Sequence, residues 1–286
     1  MSITERKNYH IKTMTREQVD VALDWAADEG WNPGLHDAEP FYTADPEGFF
    51  MGFLDREPLS SISAVRYGKG FGFIGFFMVK PEHRGKGYGF EMGQWALAHL
   101  EGRLIGIDGV VAQQENYQKA GFTLVHRNIR YEGVGSGEPV NHPEILPLSG
   151  IPFEEIYACD RRFFPGKRDA FLKSWIGRPH TVALGIRLQD HLAGYGVLRP
   201  CRSGYKIGPL FAPDAGWAET LLLSLLGHAR KGSPVYLDVP EINPSAVALA
   251  EDNRMKMVFE TARMYNHKPP NLPLNEIFGI TTFELG

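Results

Sequence analysis

The sequence predicts an α/β (α+β) protein made of two similar units in tandem. Its 286 residues exceed the usual size of one domain, so two domains of ordinary length are the first expectation. The order of predicted strands and helices in residues 1–132 recurs in residues 151–286, which indicates an internal repeat. Residues 133–150 are rich in glycine and proline and predict a linker. We therefore expect an N-terminal domain at 1–132, a linker at 133–150 and a C-terminal domain at 151–286.

Composition and charge narrow the classes of function. A formal net charge of -4, with no block of like charge, gives no basic field for nucleic acid. The N-terminus through Lys12 lacks the apolar stretch of a secretion signal, and no apolar run is long enough to span a membrane. The two cysteines, Cys159 and Cys201, form no C-x-x-C motif, and the histidines are not spaced as metal ligands. We expect a cytoplasmic monomer or homodimer without metal, nucleic-acid partner or membrane partner.

The first unit begins with a strand, two helices and a hairpin. Thr15 and Gln18 have the form of a capping box, which marks the start of the first helix. Glycine, asparagine and proline between Gly30 and Gly34 predict the turn that ends it. The predicted strand, helices and hairpin strands lie at 9–14, 15–29, 37–45, 49–54 and 59–67.

A glycine-rich turn between a strand and a helix is the most informative stretch. An apolar run from Phe71 stops at Pro81, which has no amide hydrogen for a sheet ladder, so a strand is predicted here. Three glycines at alternate positions follow, and apolar residues at helical spacing then predict a helix over 90–100. Amides at a helix N-terminus bind anions, and Arg84 and Lys86 add positive charge. The stretch therefore predicts a phosphate or diphosphate site.

Two common phosphate loops do not fit this stretch. The G-x-G-x-x-G fingerprint needs its third glycine one residue later, and no window supplies G-x-x-x-x-G-K-[ST]. The stretch instead has the pattern V-x-P-x-x-R-G-x-G-x-G and resembles the coenzyme A loop of the GNAT superfamily of N-acyltransferases. This resemblance implies that acetyl-CoA is the co-substrate and that its pyrophosphate binds to the loop. The implied coenzyme-binding residues are Met78, Val79, Arg84, Gly85, Lys86, Gly87, Tyr88 and Gly89.

A second motif follows the loop helix. A strand at 103–111, a short helix at 115–122 and a strand at 123–131 are predicted, and the helix carries a Tyr-x-x-x-Gly-Phe motif that begins at Tyr117. The element order is that of the GNAT fold. The resemblance implies that Tyr117 donates a proton to the departing coenzyme A thiolate or lies beside it.

The second unit repeats the pattern but departs from it where the chemistry lies. Its helices and strands are predicted at 152–163, 167–175, 181–188, 192–198, 205–211, 218–229, 234–239, 245–251 and 256–265. The loop position holds Asp214 and no arginine, a carboxylate there opposes a diphosphate, and Ala250 stands at the tyrosine position. The resemblance implies two tandem GNAT folds, each a mixed, mostly antiparallel sheet flanked by helices. The degenerate second unit is expected to be a scaffold or a wall of the substrate site.

The predicted reaction is direct attack of a small primary amine or amino-acid-like acceptor on the acetyl thioester. The amine must lose a proton, and the oxyanion needs a donor, which the resemblance places on a backbone amide of Met78 or Val79. Glu29 is the candidate base because it falls where the first two helices border the acceptor site. The candidate acceptor-binding residues are Trp31, Asp37 and Tyr42. The alternative is a non-catalytic acyl-CoA sensor or scaffold that kept the loop and lost turnover.

Overall fold

The structure of the protein, a computed structural model, describes residues 8–286. Its first unit follows the predicted element order. Helix α1 begins as expected, because Thr15 Oγ1 accepts from the Gln18 amide at 3.4 Å and Gln18 Oε1 accepts from the Thr15 amide at 2.9 Å. The elements are β1 (Tyr9–Thr13), α1 (Arg16–Asp28), α2 (Ala38–Ala44), β2 (Phe49–Leu54), β3 (Glu57–Tyr67), β4 (Phe71–Val79), α3 (Tyr88–His99), β5 (Leu104–Val110), α4 (Gln114–Lys119) and β6 (Thr123–Val134).

The second unit repeats this order and adds a short strand near the C-terminus. Helix α7 carries the leucine run of the sequence, and Leu221, Leu222 and Leu225 are fully buried, so that run faces the core. The elements are β7 (Ile145–Pro147), α5 (Phe153–Asp160), α6 (Asp169–Ile176), β8 (Val182–Leu188), β9 (His191–Pro200), β10 (Tyr205–Phe211), α7 (Ala215–His228), β11 (Pro234–Pro240), α8 (Pro244–Asp252), β12 (Lys256–Tyr265) and β13 (Ile277–Gly279).

The predicted linker at 133–150 is shorter in the structure. Strand β6 continues to Val134, and β7 pairs antiparallel with β8 from Ile145↔Ile186 to Pro147↔Leu184. Strand β7 is an edge strand, where a proline without an amide hydrogen is tolerated. The irregular connection is therefore reduced to 135–144.

The two units share one continuous sheet with exchanged final strands. The strand order is β1-β2-β3-β4-β5-β12-β6-β11-β10-β9-β8-β7, so β12 of the second unit lies beside β5 of the first, and β6 lies beside β11. The pairs β4–β5 and β10–β11 are parallel, and the other neighbours are antiparallel. This confirms the predicted fold class of two mixed, mostly antiparallel units. Local sequence patterns do not encode this exchange, and because of it the boundary at 132 divides the chain but not the sheet.

Two buried ion pairs cross the exchanged strands. Arg130 of β6 donates to Asp238 of β11 at 2.6 and 2.8 Å. Arg263 of β12, at the equivalent position of the repeat, donates to Asp108 of β5 at 2.8 and 2.5 Å. Bidentate arginine–carboxylate pairs are geometrically specific. Strand β6 is thereby fixed against β11, and β12 is fixed against β5.

The core is also shared between the units. Phe41 of α2 stacks on Trp175 of α6 with ring centroids 6.0 Å apart, and it contacts Phe76 of β4 edge-on at 5.7 Å. All three side chains are buried in one cluster that draws residues from both halves of the chain. Aromatic packing of this kind fixes α2 and the bent part of β4 against the second unit.

Candidate active site

Strands β4 and β5 separate after a short parallel pairing. Their register ends at Ile74↔Ile107, although β4 continues to Val79 and β5 to Val110. The pairing of β4 with β3 shifts register in the same segment, and Phe76 there has a φ of 45°, as expected for a bulge that bends the strand. A cleft therefore opens between β4 and β5 beyond Ile74.

The amide of Val79 faces this cleft. Lys80 donates its amide to the Leu59 carbonyl of β3 at 2.9 Å, and Met78 is paired with Ser61 of β3. Successive residues of a strand direct their backbone groups to opposite edges, so Val79 between them points toward β5. In agreement, Arg84 Nε donates to the Val79 carbonyl at 2.8 Å. Of the two predicted oxyanion donors, Met78 and Val79, the geometry favours Val79.

The glycine-rich turn forms an open cradle at the start of α3. Gly85 and Gly87 have φ values of 72° and 91°, which other residues rarely adopt, and no atom lies within 4 Å of a Cβ placed on Gly85. The first bond of α3 runs from the Glu91 amide to the Gly87 carbonyl, so the amides before Glu91 have no partner within the helix. Tyr88 is buried, and its ring packs on Tyr9 at 4.8 Å. The exposed backbone and the basic side chains fit a diphosphate.

Glu29 lies at the mouth of this cradle. It is the C-cap residue of α1, and its carboxylate forms an ion pair with Arg84 of the glycine-rich turn. The Glu29 side chain is 33% exposed and does not line the cavity described below. This position beside the loop gives no support to its predicted role as the catalytic base.

A small cavity lies where β4 and β5 separate. Its volume is about 60 Å³. Tyr117 and Trp31, two of the predicted site residues, line it together with Phe76, Asp108 and Glu284. One water needs roughly 10–15 Å³, so the cavity holds a group of a few non-hydrogen atoms. This is the size of an acetyl group next to an amine nitrogen.

Tyr117 is oriented by β5. Its ring packs directly on Gly109, where a Cβ would overlap the ring. Burial raises the pKa of Tyr117 to about 12, so the phenol keeps its proton at neutral pH. No residue within 8–286 hydrogen-bonds its hydroxyl, which leaves that proton available for donation into the cavity.

Trp31 is held in place by the exchanged strand and the second unit. Its carbonyl accepts from Arg130 Nη1 at 2.8 Å and from Lys206 Nζ at 3.0 Å. The next residue, Asn32, accepts from the Ser203 amide at 2.8 Å. The connection between α1 and α2 is thereby fixed with Trp31 against the cavity.

Asp37 has a different place from the predicted one. It is buried between Arg178 Nη1 at 2.5 Å and Arg199 Nε at 3.1 Å, both from the second unit. Burial alone would raise the pKa of Asp37, but the two guanidinium groups lower it to about 2. Its carboxylate therefore joins the two units, and it is not on the cavity. Tyr42 packs against the shared core and does not line the cavity either.

The cavity also has residues that sequence reasoning missed. Phe259 and Thr261 come from the exchanged strand β12, and Phe283 and Glu284 come from the C-terminal segment. These positions are far from the loop in sequence and follow no local motif. The second unit thus forms one wall of this cavity.

The equivalent cleft of the second unit is filled by its own chain. Strands β10 and β11 pair in parallel only to Ile207↔Leu237, and β13 then pairs with β10 at Leu210↔Gly279. Asn243, the N-cap residue of α8, donates its side-chain amide to the Ile277 carbonyl at 3.0 Å. At the start of α7 the Asp214 carboxylate accepts from the Trp217 amide at 3.0 Å. A peptide strand and a capping carboxylate thus occupy the places that a coenzyme would need.

The described chain also has cavities outside the cleft. A larger cavity, about 640 Å³, lies at the outer edge of the second unit beside β7, β8 and α7, away from the cleft and the loop. Among residues 8–286, no three His, Cys, Asp or Glu side chains are grouped to hold a metal ion. Nor does any helix in that range have the length and apolarity to cross a membrane.

Comparison with known proteins places both units in one family. A model described as "Acetyltransferase (GNAT) family" matches residues 16–122, and one described as "Acetyltransferase (GNAT) domain" matches residues 156–279. Holothin acyltransferase of Pseudoalteromonas sp. (strain SANK 73390) is 30% identical over 283 residues, which cover 99% of this chain and 96% of that protein.

Solved structures agree with this at the level of the fold. A candidate acetyltransferase from Pyrococcus horikoshii superposes with a TM-score of 0.83 at 21% identity, over 98% of this chain and 96% of its own. A GCN5-related N-acetyltransferase from Sphaerobacter thermophilus gives a TM-score of 0.60 at 14% identity, over 93% and 98%. The chain therefore belongs to the GNAT acyltransferase family, with two GNAT units in tandem.

Proposed function

We propose that this enzyme transfers the acetyl group of acetyl-CoA to the nitrogen of a small primary amine, at a single site in the first unit. One observation carries the proposal. The loop amides, the free amide of Val79 and the hydroxyl of Tyr117 are arranged along one cleft between β4 and β5.

Each part of the cleft has a task in this reaction. The amides at the start of α3, with Arg84 and Lys86, bind the diphosphate of the coenzyme. Acetyl-CoA supplies the acyl group as a thioester. The Val79 amide donates to the carbonyl oxygen as negative charge develops on it. Tyr117, whose pKa is raised to about 12 by burial, gives its proton to the sulfur that leaves.

The cavity favours a small acceptor. Its walls are mostly aromatic, from Trp31, Phe76, Phe259 and Phe283. With about 60 Å³ of room it admits an amino group on a compact carrier, whereas a bulky substituent next to the nitrogen would not fit. Holothin, after which the 30% identical relative is named, belongs in the first panel of acceptors, beside simple primary amines and amino acids.

Coenzyme binding is tested by calorimetry on two matched variants. Gly89 is the second residue of α3, and a Cβ there meets only ordinary contacts, the nearest at 3.5 Å from the Val79 side chain. Gly89→Asp adds a carboxylate that suits a helix N-terminus but occupies the anion site. Gly216→Asp places the same change at the second residue of α7. We expect micromolar binding of acetyl-CoA by wild type and Gly216→Asp, and at least tenfold weaker binding by Gly89→Asp.

Two results would contradict the proposal. The first is no binding of acetyl-CoA by folded wild-type protein. The second is equal weakening by both substitutions, because that would remove the first unit as the specific site. Acetyl transfer to each amine of the acceptor panel is then measured by the free thiol that the reaction releases from acetyl-CoA.

A further inference from the structure

The C-terminal segment 280–286 runs from the second unit to the active site of the first. Ile280 donates its amide to a carbonyl of β11 at 2.9 Å. At the far end, the Tyr67 hydroxyl of β3 donates to the Leu285 carbonyl at 3.0 Å. Between them, Thr282 Oγ1 accepts from the amides of Glu284 and Leu285 at 3.1 and 2.9 Å. The segment is therefore buried and held by both units.

Glu284 lies against the bend of β4. A Cβ on Gly75 would overlap the Glu284 carbonyl, so a glycine is required for this close approach. The Glu284 side chain is 4% exposed and lines the same small cavity as Tyr117 and Trp31. Glu284 and Tyr117 thus line one cavity, in which the thioester and the amine would meet.

Glu284 is the unpaired carboxylate at this site. The other acids near it are each paired with arginine: Asp108 with Arg263, Asp238 with Arg130, Asp37 with Arg178 and Arg199, and Glu29 with Arg84. Within residues 8–286 no group donates a hydrogen bond to the Glu284 carboxylate. Because Glu284 lines the cavity and no group of the described chain occupies its carboxylate, that carboxylate is available to a ligand there.

Two cations accompany Glu284. Burial lowers the pKa of Lys206 to about 8, and the negative charge of Glu284 opposes that shift. Glu284 also acts through its charge on Arg130, which is buried in its pair with Asp238. Glu284 therefore lies within electrostatic reach of two buried cations, one from each unit.

We propose that Glu284 is the general base that takes a proton from the acceptor amine, an assignment that rests on the proposed acetyl transfer. The neutral amine attacks the thioester carbon, and a C–N bond forms. The proton that the nitrogen releases goes to the Glu284 carboxylate. The C–S bond then breaks, and the sulfur takes the proton of Tyr117. Transfer of a proton from Glu284 to the Tyr117 phenolate through solvent restores both residues.

The test combines two variants of Glu284 with the pH dependence of turnover. The charged and titratable groups around the carboxylate are Tyr117 of α4, Asp108 of β5, Arg130 of β6, Lys206 of β10, Asp238 of β11 and Arg263 of β12. We expect kcat of wild type to fall toward acid pH as the base is protonated. In Glu284→Gln we expect kcat to be 10²- to 10⁴-fold lower. We also expect the decrease of kcat toward acid pH, the acid limb of the profile, to disappear. Glu284→Asp keeps the charge and is expected to restore part of the rate.

Coenzyme binding and a matched control separate this role from a structural one. Acetyl-CoA affinity by calorimetry is expected to stay within twofold in Glu284→Gln. Glu276→Gln changes a carboxylate that lies directly before β13 and is paired with Arg162 outside the cavity, and this variant is expected to keep wild-type kcat.

Three outcomes would overturn the assignment. If wild type transfers acetyl groups and Glu284→Gln keeps its rate and acid limb, the base is elsewhere while the proposed function stands. If Glu284→Gln loses rate and coenzyme affinity together, Glu284 is a structural residue. If wild type does not bind acetyl-CoA, the proposed function is wrong, and the assignment of Glu284 as its general base is wrong as well.

Discussion

At the scale of single residues, burial decides what each group can do. Tyr117 is held against Gly109 with its proton, because burial raises its pKa to about 12. Asp37 is also buried, but its neighbours are two guanidinium groups, and its pKa is lowered to about 2. The first residue is suited to donate a proton, and the second is suited to join two parts of the chain.

The role of Tyr117 leads to a prediction for turnover. Tyr117→Phe removes the hydroxyl and keeps the ring on Gly109, so acetyl-CoA affinity is expected to stay within twofold. Because the thiolate would leave without a proton donor, kcat is expected to fall about 100-fold. Steady-state kinetics and calorimetry measure the two quantities. Tyr157→Phe on α5 is the control. A normal kcat in Tyr117→Phe would show that the thiolate leaves unassisted.

His126 leads to a prediction for stability at acid pH. Its side chain is 8% exposed, and burial, with a contribution from Arg263, lowers its pKa to about 4. Since the unfolded-state pKa is near the ordinary value of about 6.5, the unfolded chain binds more protons between pH 6.5 and 4. The free energy of unfolding therefore falls as pH drops through this window, by up to about 3 kcal/mol from this residue.

Urea denaturation of His126→Gln measures that contribution. The variant is expected to lose less stability than wild type between pH 6.5 and 4, because the residue that gains a proton on unfolding is absent. His228→Gln, at an exposed position, is expected to follow wild type. Parallel pH curves for wild type and His126→Gln would mean that His126 does not contribute.

Part of the candidate site could be predicted from the sequence, residue by residue. The glycines of the loop and Tyr117 belong to local motifs, so their positions could be predicted. Glu284 could not, because it reaches the cavity through the path of the C-terminal segment, which no local pattern encodes. Asp37 was assigned to the acceptor site because the sequence does not show that Arg178 and Arg199 of the other unit cover it.

At the scale of elements, the two strand-to-helix clefts have the same construction and different contents. In the first unit the cleft between β4 and β5 is open at the loop. In the second, β13 pairs with β10 inside the cleft, and Asn243 binds the backbone of the inserted segment. A chain that already occupies the hydrogen-bonding edge of β10 excludes a ligand from it.

This difference predicts one coenzyme per chain. Calorimetric titration of the full-length protein with acetyl-CoA is expected to give a stoichiometry of one, since displacing β13 would break its ladder and the Asn243 bonds. The Gly89→Asp variant, whose first cradle is blocked, is expected to show no residual site of similar affinity. A stoichiometry of two would mean that β13 leaves its cleft.

Most elements could be predicted, and the exceptions share one cause. Hydrophobic periodicity and helix caps are local, and they placed α1 to α8 and most strands correctly. The end of β6 and the strands β7 and β13 were missed because their sequences are short or rich in glycine and proline. They are strands because a neighbouring strand pairs with them, and that is information from the tertiary structure.

At the scale of the whole molecule, the exchange of β6 and β12 joins the two units in one sheet. Arg130 and Arg263 occupy equivalent positions of the repeat, and each binds an aspartate of the other unit. The repeat in the sequence is the same whether or not the final strands exchange, so the exchange could not be predicted from it. The cavity depends on the exchange, because Phe259 and Thr261 of β12 form one of its walls.

The exchange predicts that neither unit is stable alone. A fragment of residues 1–144 lacks β12, which pairs with both β5 and β6, so the buried strand β5 would have a bare edge and Asp108 would lose Arg263. Removing one partner of a buried ion pair costs about 3–5 kcal/mol, a large share of the stability of a domain. We expect the fragment alone to show no cooperative thermal transition by calorimetry.

Co-expression of the two fragments separates loss of the exchange from damage by the cut. The cut lies in the irregular connection 135–144, where a break disturbs little regular structure. Fragments 1–144 and 145–286 made together are therefore expected to form a stable complex with one transition, as the intact chain does. Because the cavity needs residues of both fragments, only the complex is expected to transfer acetyl groups. A cooperative transition in 1–144 alone would show that the first unit can close its own sheet with β6 beside β5, and that the exchange is not required for folding.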